Sequence, residues 1–428
     1  MINLKVLIEV NGKSVTVGSI NGNDSTDARF SYDSTYLQQT DSKPISISLP
    51  LTNKEYSAER TQAFFDGLLP EGFTRKCIAE MSHADETDYL SLLSLLGNEC
   101  LGAIKILDTI SEEQKPDYRE LSLSNIQALA EEGSSQSADI VTKSHLSLTG
   151  ASGKVGLYYN QSDNIWYIPI GDAPSTHIVK QSHIRLKRIV ANEQLCLLTA
   201  KRLGIDVPES IIIQVENNDD KNVLFASKRY DRKISEKSRR INGMPVPFRL
   251  HQEDFSQAMG IPSINKYEKN RDGYLKSMFD ILKTCSADPI TDQLKLWDIC
   301  IFNYLIGNTD NHIKNISLLY SEDLEKIRLA PAYDIVSTMI YESSSENMAL
   351  SIAGKYDINE ITKEDFIKEA RICGLGEKLA MNHFDVMVNA FVKELYEAAN
   401  SLFAQKFTDI YSICERILEK GGIKHYIK

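Results

Sequence analysis

Residues 307–315 read Gly-Asn-Thr-Asp-Asn-His-Ile-Lys-Asn, a polar stretch in which one carboxylate stands among several amide side chains. It follows residues 292–306, whose apolar side chains recur at helical spacing and predict a buried helix that ends at Gly307. Within the stretch, Asp310 and Asn315 have the same separation as the Asp and Asn of the protein-kinase catalytic loop. A carboxylate can deprotonate the attacking hydroxyl there, and an amide oxygen helps to hold Mg²⁺. Turn formation alone also favours Asp and Asn, so the motif needs support from the rest of the chain.

A second carboxylate follows in residues 329–335, which read Leu-Ala-Pro-Ala-Tyr-Asp-Ile. We expect this short apolar segment to deliver Asp334 beside the loop. Asp334 would then be the main metal ligand, with Asn315 as its partner.

The composition is that of a globular protein and excludes several classes. The chain has 428 residues, 42% apolar and 25% charged, which suggests roughly two to three domains. A net charge of −11 argues against a surface that binds nucleic acid throughout. The first residues lead directly into a strand pattern, and no apolar run approaches the roughly 18 residues of a membrane span. We therefore expect a cytoplasmic protein with no membrane association.

The cysteines give no sign of a disulfide framework or a zinc site. Their number is odd and no Cys-x-x-Cys pair occurs. We expect reduced, mostly buried side chains at positions 77, 100, 196, 285, 300, 373 and 414.

The order of strand and helix patterns predicts an N-terminal unit followed by two further parts. An Asn-Gly turn at residues 11–12 predicts a hairpin, β character continues at 29–32 and 45–49, and residues 60–96 are helical with a break near Pro70. We assign residues 1–108 to a small α+β unit and 109–139 to a connecting segment. Residues 140–247 then read as a β-rich part and 248–428 as a helical part.

The β-rich part contains candidates for nucleotide binding. A glycine-rich turn at 149–154 lies between two strand-like runs, where backbone N–H groups could close over phosphates. It lacks the Walker A spacing, and a plain hairpin turn is the alternative reading. The strand at 176–180 ends in Lys180, a position that pairs nucleotide phosphates in kinases.

Two further features support this interpretation. Glu193, near the start of a helix, could pair with Lys180, although the helix N-terminal dipole also favours an acidic residue there. The strand at 222–232 would reach an adenine-binding hinge at Lys228, Arg229 and Tyr230. A basic loop follows at 232–240, which is either a solvated surface or a contact for phosphate or an acidic partner.

Taken together, these signals resemble the HipA-type serine/threonine kinases over nearly the whole chain. Six motifs carry the resemblance in order: Ser-Leu-Thr-Gly-Ala at 147–151, Thr-His-Ile-Val-Lys at 176–180, Arg-Tyr-Asp-Arg at 229–232, Gln-Glu-Asp at 252–254, Leu-Ile-Gly-Asn-Thr-Asp-Asn-His-Ile-Lys-Asn at 305–315 and Tyr-Asp-Ile at 333–335. The expected fold class is α+β, a two-lobed kinase-like fold with the N-terminal α+β unit, a β-rich nucleotide lobe and an all-helical C-terminal lobe.

The resemblance implies a use for each matching position. Asp310 would be the catalytic base, and Asn315 and Asp334 would ligate Mg²⁺, with Glu193 in support. ATP would be bound by a set made of Thr149, Gly150, Ala151, Ser152, Gly153, Lys154, Lys180, Lys228, Arg229, Tyr230, His312, Lys314 and Tyr333.

The resemblance also implies a biological setting. The family's members are toxins that phosphorylate an aminoacyl-tRNA synthetase and are bound by a HipB-type helix-turn-helix antitoxin, through which contact with DNA would be indirect. Ser147 matches the serine that the family autophosphorylates to silence itself, and Thr149 offers a second hydroxyl. The chain departs from the family at Ser152 and Gly153, where Gln-Glu is common. The alternatives are a nucleotide-binding pseudokinase that serves as antitoxin corepressor, and a small-molecule kinase.

Overall fold

The computed structural model describes residues 2–108, 115–132, 153–182, 186–217 and 219–427. The chain divides into two compact units. The first comprises Met1–His183, Ile213–Ser263 and Leu319–Lys326, and the second comprises Ile184–Ile212, Ile264–Leu318 and Ile327–Lys428. The predicted N-terminal unit and most of the predicted β-rich part therefore share one compact unit.

The first unit begins with an antiparallel sheet. Its strands are β1 (Ile2–Val10), β2 (Lys13–Gly22), β3 (Arg29–Tyr32) and β4 (Ile104–Asp108), in the order β3-β2-β1-β4. The predicted Asn-Gly hairpin is present, with Val10 paired to Lys13. Helices at Ser34–Leu37, Ala58–Phe65, Gly72–Met81 and Tyr89–Leu96 follow, and a 3₁₀ turn at Asp66–Leu68 marks the predicted break.

Residues 45–49 do not form the expected β structure. They make a tight turn in which only Ser46 and Leu49 are bridged. The buried Glu253 carboxylate accepts hydrogen bonds from Ser46 Oγ (2.5 Å) and Ile47 N (3.1 Å). The apolar alternation of this stretch thus reflects the burial of Ile45 and Leu49 within a turn.

A six-stranded sheet forms the second part of the first unit. Its strands are β5 (Asp117–Glu120), β6 (Lys154–Asn160), β7 (Ile165–Ile170), β8 (His177–Gln181), β9 (Ser210–Gln214) and β10 (Val223–Lys228), in the order β5-β7-β6-β8-β10-β9. The helix Leu123–Glu132 packs on one face, where Leu129 meets Val155 and Val179 in the core. The stretch predicted as a connecting segment therefore contributes a strand and a helix. Short strands at Arg232–Lys233, Arg240–Ile241, Met244–Pro245, Phe248–Arg249 and Gln252–Asp254 and a helix at Phe255–Met259 complete the unit.

A buried network of charges joins the N-terminal region to the later strands of the same unit. The Glu99 carboxylate lies 3.1 Å from Arg229, 2.8 Å from Arg232 and 2.8 Å from Arg249. Asp231 pairs with Arg229 at 2.6 Å and with Arg232 at 2.9 Å. Burial raises the pKa of Glu99, but the positive charges of Arg232, Arg249 and Arg229 outweigh it and hold that pKa at about 2. Glu99 is therefore ionised and is the centre of the network.

The second unit is mainly helical. Its helices are Ile189–Arg202, Tyr274–Cys285, Pro289–Ile306, Lys363–Ile372, Glu377–Ala404 and Ile410–Lys420, and its core contains the side chains of Trp297, Phe302, Tyr304, Phe366, Phe384 and Phe391. A capping box between Thr362 and Asp365 begins the helix Lys363–Ile372. The C-terminal half is not all-helical, because strands occur at Ser317–Tyr320, Ile327–Leu329, Asn347–Ile352 and Lys355–Asp357. No helix in the described part of the chain is long and apolar enough to cross a membrane.

We predict that Glu99→Ala lowers the free energy of unfolding by about 3–5 kcal/mol, because it leaves buried guanidinium groups without their main counter-charge. Because folding lowers the pKa of Glu99, its carboxylate contributes stability above the ordinary pKa of 4.5, and this stability is lost as the pH falls towards 2. The free energy of unfolding of the variant should therefore depend less on pH in that range. Urea unfolding at several pH values measures both effects.

The matched control is Lys43→Ala, which removes a surface ion pair in which Lys43 Nζ lies 2.8 Å from Glu325 Oε1. This control should leave the urea midpoint unchanged, because exposed pairs contribute little. Equal behaviour of the two variants would contradict the role assigned to the network.

Candidate catalytic loop

The loop is positioned by the buried end of the helix Pro289–Ile306. Gly307 ends the helix with a φ of +71°, in the left-handed region that favours glycine. A Cβ at this position would lie 2.9 Å from Met339 Cβ and 3.1 Å from Gly421 Cα. The predicted stop at Gly307 is confirmed, and close packing makes the glycine necessary there.

Asn308 ties the beginning of the loop to the last turns of the helix. Its backbone N–H donates to the Asn303 carbonyl at 2.8 Å, and its side-chain Nδ2 donates to Asn303 Oδ1 at 2.6 Å. Its own Oδ1 accepts from the Asp310 N–H at 3.1 Å. Both asparagines are buried, so these bonds fix the backbone that leads to Asp310.

Thr338 clamps the loop from the opposite side. The Thr309 N–H donates to Thr338 Oγ1 at 2.8 Å. The backbone N–H groups of Thr338 and Met339 both donate to the Gly307 carbonyl, at 3.1 and 3.0 Å. The loop therefore has few alternative paths between residues 307 and 310.

Asp310 is exposed, whereas Thr309, Asn311 and His312 beside it are buried. Asn315 closes the loop, since its Nδ2 donates to the Asp310 carbonyl at 2.9 Å. Because the amide nitrogen points into the loop, the amide oxygen is the atom that can serve a cation. The loop thus presents one carboxylate outward and keeps one amide oxygen available.

Tyr333 brings Asp334 to the same loop. The Tyr333 hydroxyl donates to the Lys314 carbonyl at 2.9 Å and lies 2.6 Å from Ser317 Oγ. Tyr333 and Asn315 also line the same narrow crevice. Asp334 itself has a φ of +56°, an uncommon conformation for a residue other than glycine that concentrates at functional sites. The segment that carries Asp334 is thus bonded to the loop that contains Asp310 and Asn315, and the catalytic and metal-binding roles of these three residues stay predictions.

The donor set fits Mg²⁺ better than a transition metal. Within the described ranges, no cluster of three or more His, Cys, Asp or Glu side chains could hold a metal ion. One carboxylate and one amide oxygen, Asp334 and Asn315, suit an ion that keeps most of its ligands as water and phosphate oxygens.

His312 and Lys314, which we predicted near the phosphates, lie within the same loop and are both buried. The His312 ring meets Tyr267 edge to face, with centroids 5.1 Å apart. Their contact with ATP stays a prediction.

In the first unit, Lys180 lies on β8 with Lys154 opposite on β6 and Phe225 opposite on β10. Its ammonium group is 5.4 Å from the Phe225 ring centroid, and the side chain is buried. Directly opposed lysines repel each other, so an anion beside this pair would be stabilising. A Cβ on Gly153 would lie 1.9 Å from Gln181 Nε2, so a larger residue there would require the end of the Gln181 side chain to move.

The predicted hinge residues have other partners as well. The Arg229 N–H donates to the Thr176 carbonyl at 2.9 Å, and its guanidinium belongs to the buried network around Glu99. The Arg229 N–H and guanidinium therefore have partners within the protein, and the assignment of Arg229 to ATP binding stays a prediction. The Tyr230 hydroxyl donates to Gln252, and Lys228 lies opposite His177, so a hinge at Lys228 and Tyr230 stays a prediction.

The remaining predicted residues are not tested by the geometry. Ser147, Thr149, Gly150, Ala151 and Ser152 lie outside the described residues. Glu193 is buried in the helix Ile189–Arg202 of the second unit, whereas Lys180 belongs to the first, and their pairing stays a prediction.

The sequence did not identify two residues that contact the loop. Thr338 supports its backbone, and the Tyr267 hydroxyl donates to Asp310 Oδ1 at 2.5 Å. Both are distant in sequence, and a lone threonine or tyrosine carries no motif.

We predict that Thr338→Val lowers the free energy of unfolding by about 1–3 kcal/mol, because it leaves the Thr309 N–H without its hydrogen-bond acceptor. Thermal or urea unfolding measures the loss. Thr284→Val is the control: its hydroxyl is exposed and bonds only within its own helix region, so the change should stay within about 0.5 kcal/mol. Equal losses in both variants would contradict the clamp.

Comparison with known proteins supports the resemblance seen in the motifs. Residues 8–107 match the HipA N-terminal domain and residues 146–395 match the HipA-like C-terminal domain. The Sinorhizobium fredii protein named "Putative kinase Y4mE" is 31% identical over 384 residues, 87% of each chain. The Shewanella oneidensis "Serine/threonine-protein kinase toxin HipA" is 26% identical over 417 residues, 92% of each chain.

The fold also matches a solved structure. A chain in the Shewanella oneidensis MR-1 complex of HipA, HipB and operator DNA superposes with a TM-score of 0.76 and 22% identity, over 99% of this chain and 100% of that one. The family resemblance and the α+β kinase-like fold are confirmed, and this chain belongs to the HipA family.

Proposed function

We propose that this chain is an ATP- and Mg²⁺-dependent protein serine/threonine kinase that acts as the toxin of a toxin–antitoxin pair. The observation that carries the proposal is the clamped loop, which exposes the Asp310 carboxylate and leaves the Asn315 amide oxygen available; we assign Asn315 and Asp334 to the metal. Membership of the HipA family, with relatives named as kinases, supports the same activity.

Phosphoryl transfer needs positioning and charge neutralisation more than covalent chemistry from the protein. Asp310 would accept the proton of the attacking hydroxyl, and the bonds that fix its backbone would keep it aligned. Asn315 and Asp334 would hold Mg²⁺, and the bound ion would neutralise negative charge on the phosphates. We assign Lys180 and Lys154, with the turn that begins at Thr149, to nucleotide phosphates.

The partner we propose is a HipB-like helix-turn-helix antitoxin. The superposed Shewanella structure is described as a complex of HipA, HipB and operator DNA. A net charge of −11 on this chain favours indirect contact with DNA, through a basic partner. We place the complex in the cytoplasm.

The substrate we propose is an aminoacyl-tRNA synthetase, phosphorylated on serine to inhibit translation. Autophosphorylation at Ser147, with Thr149 as a second hydroxyl, would silence the enzyme. A phosphate there adds charge that repels the phosphates of ATP or finds new cationic partners, so either route removes the loop from its active position.

The rival function is a nucleotide-binding pseudokinase that serves as antitoxin corepressor. Lys180, Asp310, Asn315 and Asp334 are all present, and loss of any one would be permitted in a pseudokinase. A small-molecule kinase would share these residues and differ in its acceptor site, so phosphorylation of free sugars or lipids would identify it.

The test is intact-mass spectrometry of wild-type protein and Asp310→Ala, each incubated with Mg²⁺ and ATP and then peptide mapped. We expect wild type to gain about 80 Da per phosphate, on the peptide that contains Ser147, and Asp310→Ala to gain none. Ser147→Ala should remain active on an added acceptor while losing that peptide's phosphate.

Wild type that starts unphosphorylated and gains no mass would contradict the kinase proposal. Equal gains in wild type and Asp310→Ala would contradict the role of Asp310 and indicate a contaminating kinase.

A further inference from the structure

We propose that Tyr267 is a positioning residue, whose hydroxyl holds the Asp310 carboxylate in the orientation needed for proton transfer. This inference rests on the proposed kinase function. The Tyr267 hydroxyl oxygen lies 2.5 Å from Asp310 Oδ1, and the phenol donates because an ionised carboxylate can only accept. Such charge-assisted bonds are shorter and stronger than neutral ones. One oxygen of the carboxylate is therefore held, which fixes the rotation of the group.

The residues on both sides of Tyr267 are hydrogen-bonded to other segments of the second unit. Before it, the Lys266 carbonyl accepts a long hydrogen bond from the Ile313 N–H of the catalytic loop, at 3.5 Å. After it, the buried Glu268 carboxylate accepts from the N–H groups of Ser351 (2.7 Å) and Gly273 (2.8 Å). The chain segment of Tyr267 is thus bonded to the loop on one side and to Ser351 and Gly273 on the other.

The ring of Tyr267 has its own contacts. It meets the buried His312 ring edge to face at 5.1 Å, and the Lys266 ammonium lies 5.5 Å from its centroid. These contacts would be kept by phenylalanine, because they use the ring alone. The hydroxyl makes the bond to Asp310, which makes the hydroxyl and the ring separable by mutation.

The size of the expected effect follows from the geometry of proton transfer. The reacting atoms must lie within hydrogen-bond reach, and a misplacement of about 1 Å lowers the rate by as much as 100-fold. A carboxylate without Tyr267 would rotate more freely while the rest of the loop stays clamped. The loss should therefore appear in the chemical step and leave nucleotide binding intact.

The experiment compares wild type, Tyr267→Phe, Tyr356→Phe and Asp310→Ala in full-length form. The readout is the initial rate of phosphate incorporation into the chain itself from radiolabelled ATP with Mg²⁺, measured over a range of ATP concentrations. We expect Tyr267→Phe to lower kcat by about 10- to 100-fold with little change in the KM for ATP. Its urea unfolding midpoint should match that of wild type.

Tyr356→Phe is the matched control. The Tyr356 hydroxyl accepts a hydrogen bond at 2.9 Å from the N–H of Arg271, which belongs to the same chain segment as Tyr267. Tyr356 is not part of the catalytic loop. This variant tests whether loosening the segment is enough to slow the reaction, and its kcat should equal that of wild type.

Each other outcome has a definite meaning. An active wild type with an equally active Tyr267→Phe overturns this inference and leaves the kinase function standing, as does a raised KM at unchanged kcat. Phosphate mapped to Tyr267 itself would make it an acceptor and also overturn the positioning role. A wild type that starts unphosphorylated and incorporates no phosphate refutes the proposed function, and this inference fails with it.

Discussion

The site depends on the clamp between the Gly307 carbonyl and the backbone N–H groups of Thr338 and Met339. These bonds join the end of a buried helix to the segment that follows Asp334 and fix the first residues of the catalytic loop. Tyr333, whose hydroxyl donates to the Lys314 carbonyl, holds the other end of the loop. Asp310 can then expose its side chain while its backbone stays fixed, as catalysis by positioning requires.

A second constraint acts in the other unit. Glu99 lies among three arginines from strands and turns more than a hundred residues later in the chain, and each bond is buried. Removing two charges from water is unfavourable unless geometry and hydrogen bonds compensate, so such a network specifies which segments pair more than it adds stability. Arg229 and Arg232 lie on either side of Asp231 in sequence, and both pair with it. Because both arginines also pair with Glu99, they attach the N-terminal region to the part of the unit that contains the six-stranded sheet.

The parts of the fold that local patterns control were predictable. Helical periodicity followed by glycine gave the end of the helix at Ile306, and the capping box gave the start of the helix at Lys363. The β structure predicted for residues 45–49 was wrong, because alternating apolar residues also occur in a buried turn whose backbone groups bond to neighbouring side chains. Their partner Glu253 lies some 200 residues away, and no local pattern contains that information.

The same division holds for the site. Asp310, Asn315 and Asp334 were identified because their types and order match a known chemistry. The structure places Asp310 and Asn315 in one loop, and Tyr333, next to Asp334, donates a hydrogen bond to that loop. Arg229 was assigned to nucleotide binding because a hinge was expected there, yet its guanidinium is committed to Glu99 and Asp231. Thr338 and Tyr267 could not be found from sequence, since each acts through one contact made only in the folded chain.

The central claim is that Asp334 and Asn315 form a metal site beside the catalytic base. Calorimetric titration of the full chain with a non-hydrolysable ATP analogue, in Mg²⁺ and in EDTA, tests it most directly. Wild type and Asp310→Ala should both bind more tightly with Mg²⁺, whereas Asp334→Ala should lose that gain. An undiminished Mg²⁺-dependent gain in Asp334→Ala would contradict the account.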